Sequence, residues 1–156
     1  MSDGFTHLNE DGNAHMVNVA AKSVTERVAI AEAQVLMSDA VRRRLFAGDL
    51  PKGDALGVAR IAAIMAAKQT STLVPLCHPI PIDAVDVDIA ESDQGVTVTV
   101  TARTTAKTGI EMEAMTAASI GAVSIYDMVK GLDRGAEIAA VRLLHKSGGK
   151  SGEWNR

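Results

Sequence analysis

The sequence predicts an α+β fold, an antiparallel sheet with its helices on one face, and three observations carry that reading. Val85, Val87 and Ile89 alternate with Asp86 and Asp88; after a turn at Asp93-Gln94-Gly95, Val96, Val98 and Val100 alternate with Thr97, Thr99 and Thr101. A hairpin patterned in this way buries one face and wets the other. Helical stretches precede and follow the hairpin, and a strand lies outside each of them. The order strand, two helices, hairpin, helix, strand is a βαββαβ arrangement with one extra short helix, which is the ferredoxin-like sandwich.

Each element has its own signal. Residues 1–14 are polar and Gly-containing and are expected to be flexible. The first strand spans 24–35, with Val28 and Ile30 on one face and Ala29, Ala31, Ala33 and Val35 on the other. Both faces are apolar near its centre, so it is expected to be covered on both sides. Ser38 suits the N-cap of a short helix over 39–47, ended by Gly48. Leu50-Pro51-Lys52-Gly53-Asp54 is a loop, and Asp54 caps a helix over 55–68 whose Ala55, Val58, Ala62 and Met65 recur at helical spacing. A loop over 69–81 holds Pro75, Pro79 and Pro81. After the hairpin, Lys107-Thr108-Gly109 closes the strand, and a helix over 110–131 ends at Gly131. The last strand covers 137–145, and the Gly-rich stretch over 147–156 is expected to be a flexible tail. Residues 1–156 form a single catalytic domain without internal repeats.

Composition narrows the function. Apolar residues make up 47% of the chain but aromatics only 3%, so the core is built from Ala, Val, Ile, Leu and Met. A net charge of −3 argues against a nucleic-acid binder, which carries a basic stripe. One cysteine excludes an intrachain disulfide and a CxxC metal site, which fits a reducing, cytoplasmic setting. The first twenty residues hold Asp3, Glu10 and Asp11 and no long apolar run, unlike a signal peptide. The uncharged stretch worth testing as a membrane span, 114–126, falls well short of the roughly 18 residues required.

Four stretches can carry chemistry, all beside loops or helix ends. Lys52 sits on a Gly-flanked loop just before a helix, where ammonium and helix end together attract an anion; a solvated loop lysine is the plain alternative. In Leu76-Cys77-His78-Pro79 two prolines stiffen the loop, and His78 can exchange protons near neutral pH or bond to backbone. Cys77 reads as a small hydrophobe, since no second cysteine or nearby histidine completes a zinc set. The long helix has Glu111 and Glu113 in its first turn, where carboxylates suit the helix dipole, and Asp127 and Lys130 three apart at its other end, where an ordinary ion pair is the rival reading. Glu113 and Asp127 return to nearly the same face yet lie about 21 Å apart along the axis. If both act in one compact site, a second subunit supplies one of them. Finally, Gly148-Gly149-Lys150-Ser151 is not a P-loop, because Leu144 stands where its first glycine belongs and no helix follows. It remains a Gly-rich tail able to fold over phosphates. Lys52, Lys130, Lys146 and Lys150 together suggest a cationic pocket for a small polyanion.

These strings, with Met16-Val17-Asn18-Val19, Thr108-Gly109-Ile110-Glu111-Met112-Glu113-Ala114, Ile125-Tyr126-Asp127-Met128 and Leu143 to Gly152, resemble the molybdenum cofactor biosynthesis protein C family over about residues 6–153, in order and in register. The resemblance implies a homohexamer, a trimer of dimers with sites at the dimer interface. It implies (8S)-3′,8-cyclo-7,8-dihydroguanosine 5′-triphosphate as substrate, and cyclic pyranopterin monophosphate and diphosphate as products. By resemblance Leu76, Cys77, His78, Met112 and Glu113 line the substrate site and Asp127 is the active-site acid/base. Lys52, Lys130, Lys146, Glu111 and Arg27 match further site positions. Asn18 stands where the family often has Asp, which puts a local hydrogen bond in question. No cofactor is implied as required, and Mg²⁺ is left open.

The implied reaction opens and rebuilds a ring through several proton transfers, then a hydroxyl attacks the α-phosphate and expels diphosphate. A lysine whose pKa is lowered by neighbouring cations suits the base, and a carboxylate or His78 the acid. Lys52 and Asp127 are assigned the proton work, with Lys130 beside them; Lys130, Lys146 and His78 hold the triphosphate. The rival readings are a non-catalytic nucleotide-sensing module and a structural subunit, which need no acid/base residues.

Overall fold

The structure is a computed structural model that describes residues 8–9 and 11–156. Its elements are β1 (Thr25–Leu36), α1 (Asp39–Ala47), α2 (Ala55–Leu73), β2 (Ala84–Ser92), β3 (Gly95–Ala106), α3 (Glu111–Val129), β4 (Glu137–Ser147) and β5 (Trp154–Asn155). They form one five-stranded sheet in the order β2-β3-β1-β4-β5, antiparallel throughout. The first four strands are ordered as a ferredoxin-like sandwich requires. β1 and β3 pair along their full lengths at the centre, from Thr25↔Ala106 to Leu36↔Gly95.

The core follows from small side chains. Ala29, Ala31, Ala33 and Val35 of β1 and Val98, Val100 and Ala102 of β3 are fully buried, facing α2 and α3. The two helices pack through Ala55, Ala59, Ala63, Ala66 and Ala67 on one side and Ala114, Ala117, Ala118, Gly121 and Ala122 on the other. Such residues let helix backbones approach. A Cβ at Gly121 would lie 3.1 Å from Val98 Cγ1 and 3.4 Å from Ala63 Cβ. The expectation that β1 is covered on both sides is corrected within one chain. Both long helices lie on one face, and Val28, Ile30, Glu32 and Gln34 of the other are only half-buried. Glu32 there accepts from Gln34 and pairs with Arg142 of β4 at 3.0 Å.

Several boundaries differ from expectation, each for a local reason. α2 runs to Leu73 rather than 68, and within the added turn the Thr70 and Thr72 hydroxyls donate back to the carbonyls of Ala66 and Gln69. It stops at Val74, just before Pro75. Ser38 precedes α1 without a side-chain cap; its amide instead donates to Asp133 at 2.8 Å. Asp54 does cap α2, accepting from the Gly57 amide at 2.8 Å. α3 ends at Val129 rather than at Gly131, since the amides of Leu132 and Asp133 both turn back to the Val129 carbonyl. The tail is not a loop throughout. Trp154 and Asn155 pair with Lys146 and His145, and the Arg156 amide donates to the Leu144 carbonyl at 2.9 Å. The free edge of β4 exposes backbone groups that the returning chain satisfies. Of residues 1–14, positions 1–7 and 10 lie outside the described residues; Leu8 bridges Ala14. Among the described residues no helix is long and apolar enough to cross a membrane.

Candidate active site

The candidate residues gather into two groups at opposite ends of α3. At the C-terminal end, Asp127 accepts from two ammonium groups. Lys52 Nζ donates to Asp127 Oδ2 at 2.8 Å and to its backbone carbonyl at 2.7 Å. Lys130 Nζ pairs with Oδ1 at 2.8 Å. Lys52 is aimed there by the turn between α1 and α2, where Gly53 adopts φ 89° and its amide donates to Leu50. Lys130 needs no such loop, being one helical turn from Asp127. The hydrogen bonds from Lys130 and then Lys52 hold the Asp127 carboxyl down at about 2. Lys130 is pushed up by its bond to Asp127 and by that charge. The expected downward shift from neighbouring cations is thus reversed for Lys130 in the single chain, because a carboxylate sits between the two ammonium groups.

At the N-terminal end, Glu111, Met112 and Glu113 meet the 75–79 loop and residues 17–22 around a cavity of about 400 Å³, lined also by Leu76, Cys77 and His78. Glu113 is only 4% exposed. Burial drives its carboxyl upward, its own backbone N–H draws it down in part, and the neighbouring Glu111 charge raises it again. The Cys77 thiol is pushed up by burial and then by the Glu113 charge. His78 Nε2 lies 2.8 Å from the Val17 carbonyl; a carbonyl only accepts, so Nε2 carries the hydrogen.

A second cavity of about 140 Å³ adjoins the first, and Lys22, Thr108, Gly109 and Glu111 line both. Its remaining wall includes Arg27, Lys107, Lys146, Ser147, Gly148 and Ser151. Lys146 Nζ donates to Glu111 Oε1 at 3.0 Å. Arg27 reaches across the end of β3 and donates to the carbonyls of Ala106 and Lys107, each at 3.2 Å. Glycine is required at 148 and 149. Both are left-handed, and a Cβ there would collide with the Glu26 carbonyl or the Arg27 guanidinium.

The structure therefore unites Leu76, Cys77, His78, Glu111, Met112, Glu113, Lys146 and Arg27 at one end, and Lys52, Asp127 and Lys130 at the other. Within one chain Lys52, Lys130, Lys146 and Lys150 do not form a single cationic pocket. Lys146 lies with the first group, and Lys150 is exposed outside both cavity walls. Lys22 and Lys107 were not anticipated. Lys107 stands two residues before Gly109 ahead of a helix start, a signal close to the one that marks Lys52; Lys22 sits in an irregular segment with no sequence signal. Asn18 Oδ1 accepts from the Ala20 amide at 2.8 Å, a bond that either Asn or Asp can make. Among the described residues no three His, Cys, Asp or Glu side chains converge to hold a metal ion.

The MoaC family profile matches residues 16–149, a span that holds both groups. The chain belongs to the MoaC family. Its MoaC relatives include cyclic pyranopterin monophosphate synthases of Corynebacterium glutamicum strain R, 51% identical over 97% of both chains, and of Novosphingobium aromaticivorans, 52% identical over 96% of both. Another, of Roseiflexus castenholzii, is 52% identical over 98% of both. The match begins at Met16, so the MoaC span includes the residues that run along the larger cavity. It ends at Gly149, on the glycine pair that packs against Arg27.

Proposed function

We propose that this chain is a cyclic pyranopterin monophosphate synthase of molybdenum cofactor biosynthesis. It converts (8S)-3′,8-cyclo-7,8-dihydroguanosine 5′-triphosphate to cyclic pyranopterin monophosphate and diphosphate, without a required cofactor, in the cytoplasm. Its relatives of about 50% identity over nearly their full length support that activity. The observation that carries the site is the separation of the two groups along α3. A helix rises about 1.5 Å per residue, so Glu113 and Asp127 stand about 21 Å apart. One substrate cannot span both in a single chain. The working site forms between two copies, one giving the cavities and the other Lys52, Asp127 and Lys130, within a homohexamer built as a trimer of dimers.

The chemistry follows from the environments. The larger cavity has the size of a small-molecule site. Leu76 and Met112 give it apolar walls for the fused ring, with the buried Glu113 for the polar edge. The smaller cavity, with Arg27 and Lys146, takes the phosphates. Lys52 donates to Asp127 through a direct hydrogen bond, along which a proton can pass during the reaction. Lys130 stabilises the charge that develops as diphosphate leaves.

Two measurements test this reading. Mass spectrometry after incubation with the cyclised GTP derivative should show cyclic pyranopterin monophosphate; unchanged substrate would defeat the activity. Lys52→Ala and Lys146→Ala should each abolish turnover, whereas mixing and reassembling the two should restore about a quarter of wild-type activity, because half the dimers are mixed and each holds one intact site. No recovery from reassembled mixtures would place both groups in one chain's site.

A further inference from the structure

Beyond β4 the chain turns back on itself and closes one wall of the smaller cavity. The turn, residues 148–153, joins β4 to β5, and Ser147, Gly148 and Ser151 line the cavity. Gly148, Gly149 and Gly152 adopt left-handed φ of 93°, 71° and 66°. Glycine loses more backbone freedom on ordering than any other residue, so such a turn is costly to hold. Inside it the Gly152 amide donates to the Gly149 carbonyl at 3.3 Å, a long bond. The turn is therefore held largely by its two ends.

The far end is β5, only two residues long and shorter than an ordinary strand. It pairs Trp154 with Lys146 and Asn155 with His145. Arg156 extends it, donating its amide to the Leu144 carbonyl at 2.9 Å and Nε to the Leu143 carbonyl at 3.0 Å. The two pairs lie on opposite faces of the sheet. Lys146 partners the buried Ala29 on the helical face and reaches Glu111 of α3, and Trp154 shares that face. His145 and Asn155 lie on the other face and line neither cavity. Asn155 Nδ2 donates to Glu153 Oε1 at 3.2 Å, which turns its Oδ1 toward His145. His145 Nδ1 stands 2.8 Å from that oxygen and so carries the hydrogen, with Glu153 at 3.8 Å.

We propose that His145 and Asn155 are positioning residues for the phosphate site: their bond, on the face away from the cavity, clasps β5 to β4 and so holds the 148–153 turn in place as a cavity wall. This rests on the reading of the smaller cavity as the phosphate site. Neither side chain reaches the ligand. With the clasp broken the turn is closed for only part of the time, and the apparent affinity falls by that fraction.

Trp154 is the only tryptophan of the chain and is 41% exposed, so its fluorescence reports whether β5 is docked. Three measurements on full-length variants test the clasp: calorimetry with inorganic pyrophosphate, acrylamide quenching of Trp154, and steady-state kinetics with the cyclised GTP derivative. Asn155→Ala and His145→Ala should each weaken pyrophosphate binding and raise KM about fivefold, as loss of one hydrogen bond does, with kcat within about threefold of wild type. Trp154 should become easier to quench in Asn155→Ala, and saturating pyrophosphate should reverse that change, because the anion favours the closed turn. The His145→Ala/Asn155→Ala double variant should be no worse than either single one, since both remove the same bond. Additive losses would overturn the clasp. A lower melting temperature with unchanged pyrophosphate affinity and quenching would overturn it too, leaving a purely structural bond. If Lys146→Ala loses about tenfold while Asn155→Ala and His145→Ala stay within about twofold of wild type, the clasp is wrong and the phosphate cavity stands. If none of these variants weakens pyrophosphate binding, the phosphate reading of the cavity falls as well.

Discussion

The two ends of α3 carry the same functional group in opposite surroundings. Glu113 in the first turn is buried against the cavity and its carboxyl is pushed up, chiefly by loss of solvent. Asp127 in the last turn is half exposed, and two lysines hold it down at about 2. The helix dipole alone would order them the other way, favouring the charged form at the N-terminal end. Burial and direct ammonium contacts outweigh it at each end. One helix thus presents a carboxyl inclined to keep its proton and another that readily gives it up.

The largest expected effect comes from removing the exposed member. Asp127→Asn should lower turnover of the cyclised GTP derivative by roughly a hundredfold or more while pyrophosphate affinity stays within a few-fold. A variant that keeps its turnover would show that this end of α3 is an ordinary surface ion pair. The buried member should behave differently. A raised folded-state pKa means that the folded chain holds its proton more tightly than the unfolded chain. Glu113 therefore costs stability once pH rises above its ordinary 4.5. Glu113→Gln should raise the melting temperature near neutral pH by about 2–4 °C and reduce turnover, with the stability gain vanishing below 4.5. Melting curves across pH read the difference directly; an unchanged or lower Tm at neutral pH contradicts the burial account. The smallest effect has the opposite sign. A lowered folded-state pKa at Asp127 gives stability above its ordinary 3.8 that is lost as pH falls toward about 2. Because the group is exposed and screened, the loss should be slight, and added salt should erase it. A difference between wild type and Asp127→Asn that ignores salt would show a buried contribution instead.

Much of the fold was legible because it rests on periodicity. The Val/Thr and Val/Asp alternation fixes the hairpin and its buried face regardless of distant contacts. Asp54 and Gly48 punctuate helices through local hydrogen bonds. Boundaries that depend on remote partners were less readable. Ser38 donates its amide to Asp133, nearly a hundred residues away in sequence, rather than capping its helix. β5 exists only because β4 ends the sheet beside it. Among the candidate groups, Lys52, Asp127 and Lys130 were marked by loop and helix-end position, and their mutual contacts of 2.8 Å agree with that placement. Lys22 carried no such mark, since nothing in an irregular segment states which wall it will lie against.

The sequence by itself determined the strand and helix identities, the packing of small residues and the inventory of acids, bases and cations, because these follow from side-chain shape and spacing along a single element. Only the tertiary structure decided which groups meet. It put Lys146 with Glu111 and Lys52 with Asp127, and it seated Lys22 between two cavities. Those neighbours come from strands and loops far apart in the chain, and the fields and burial that set each proton affinity arise only once those elements are packed together.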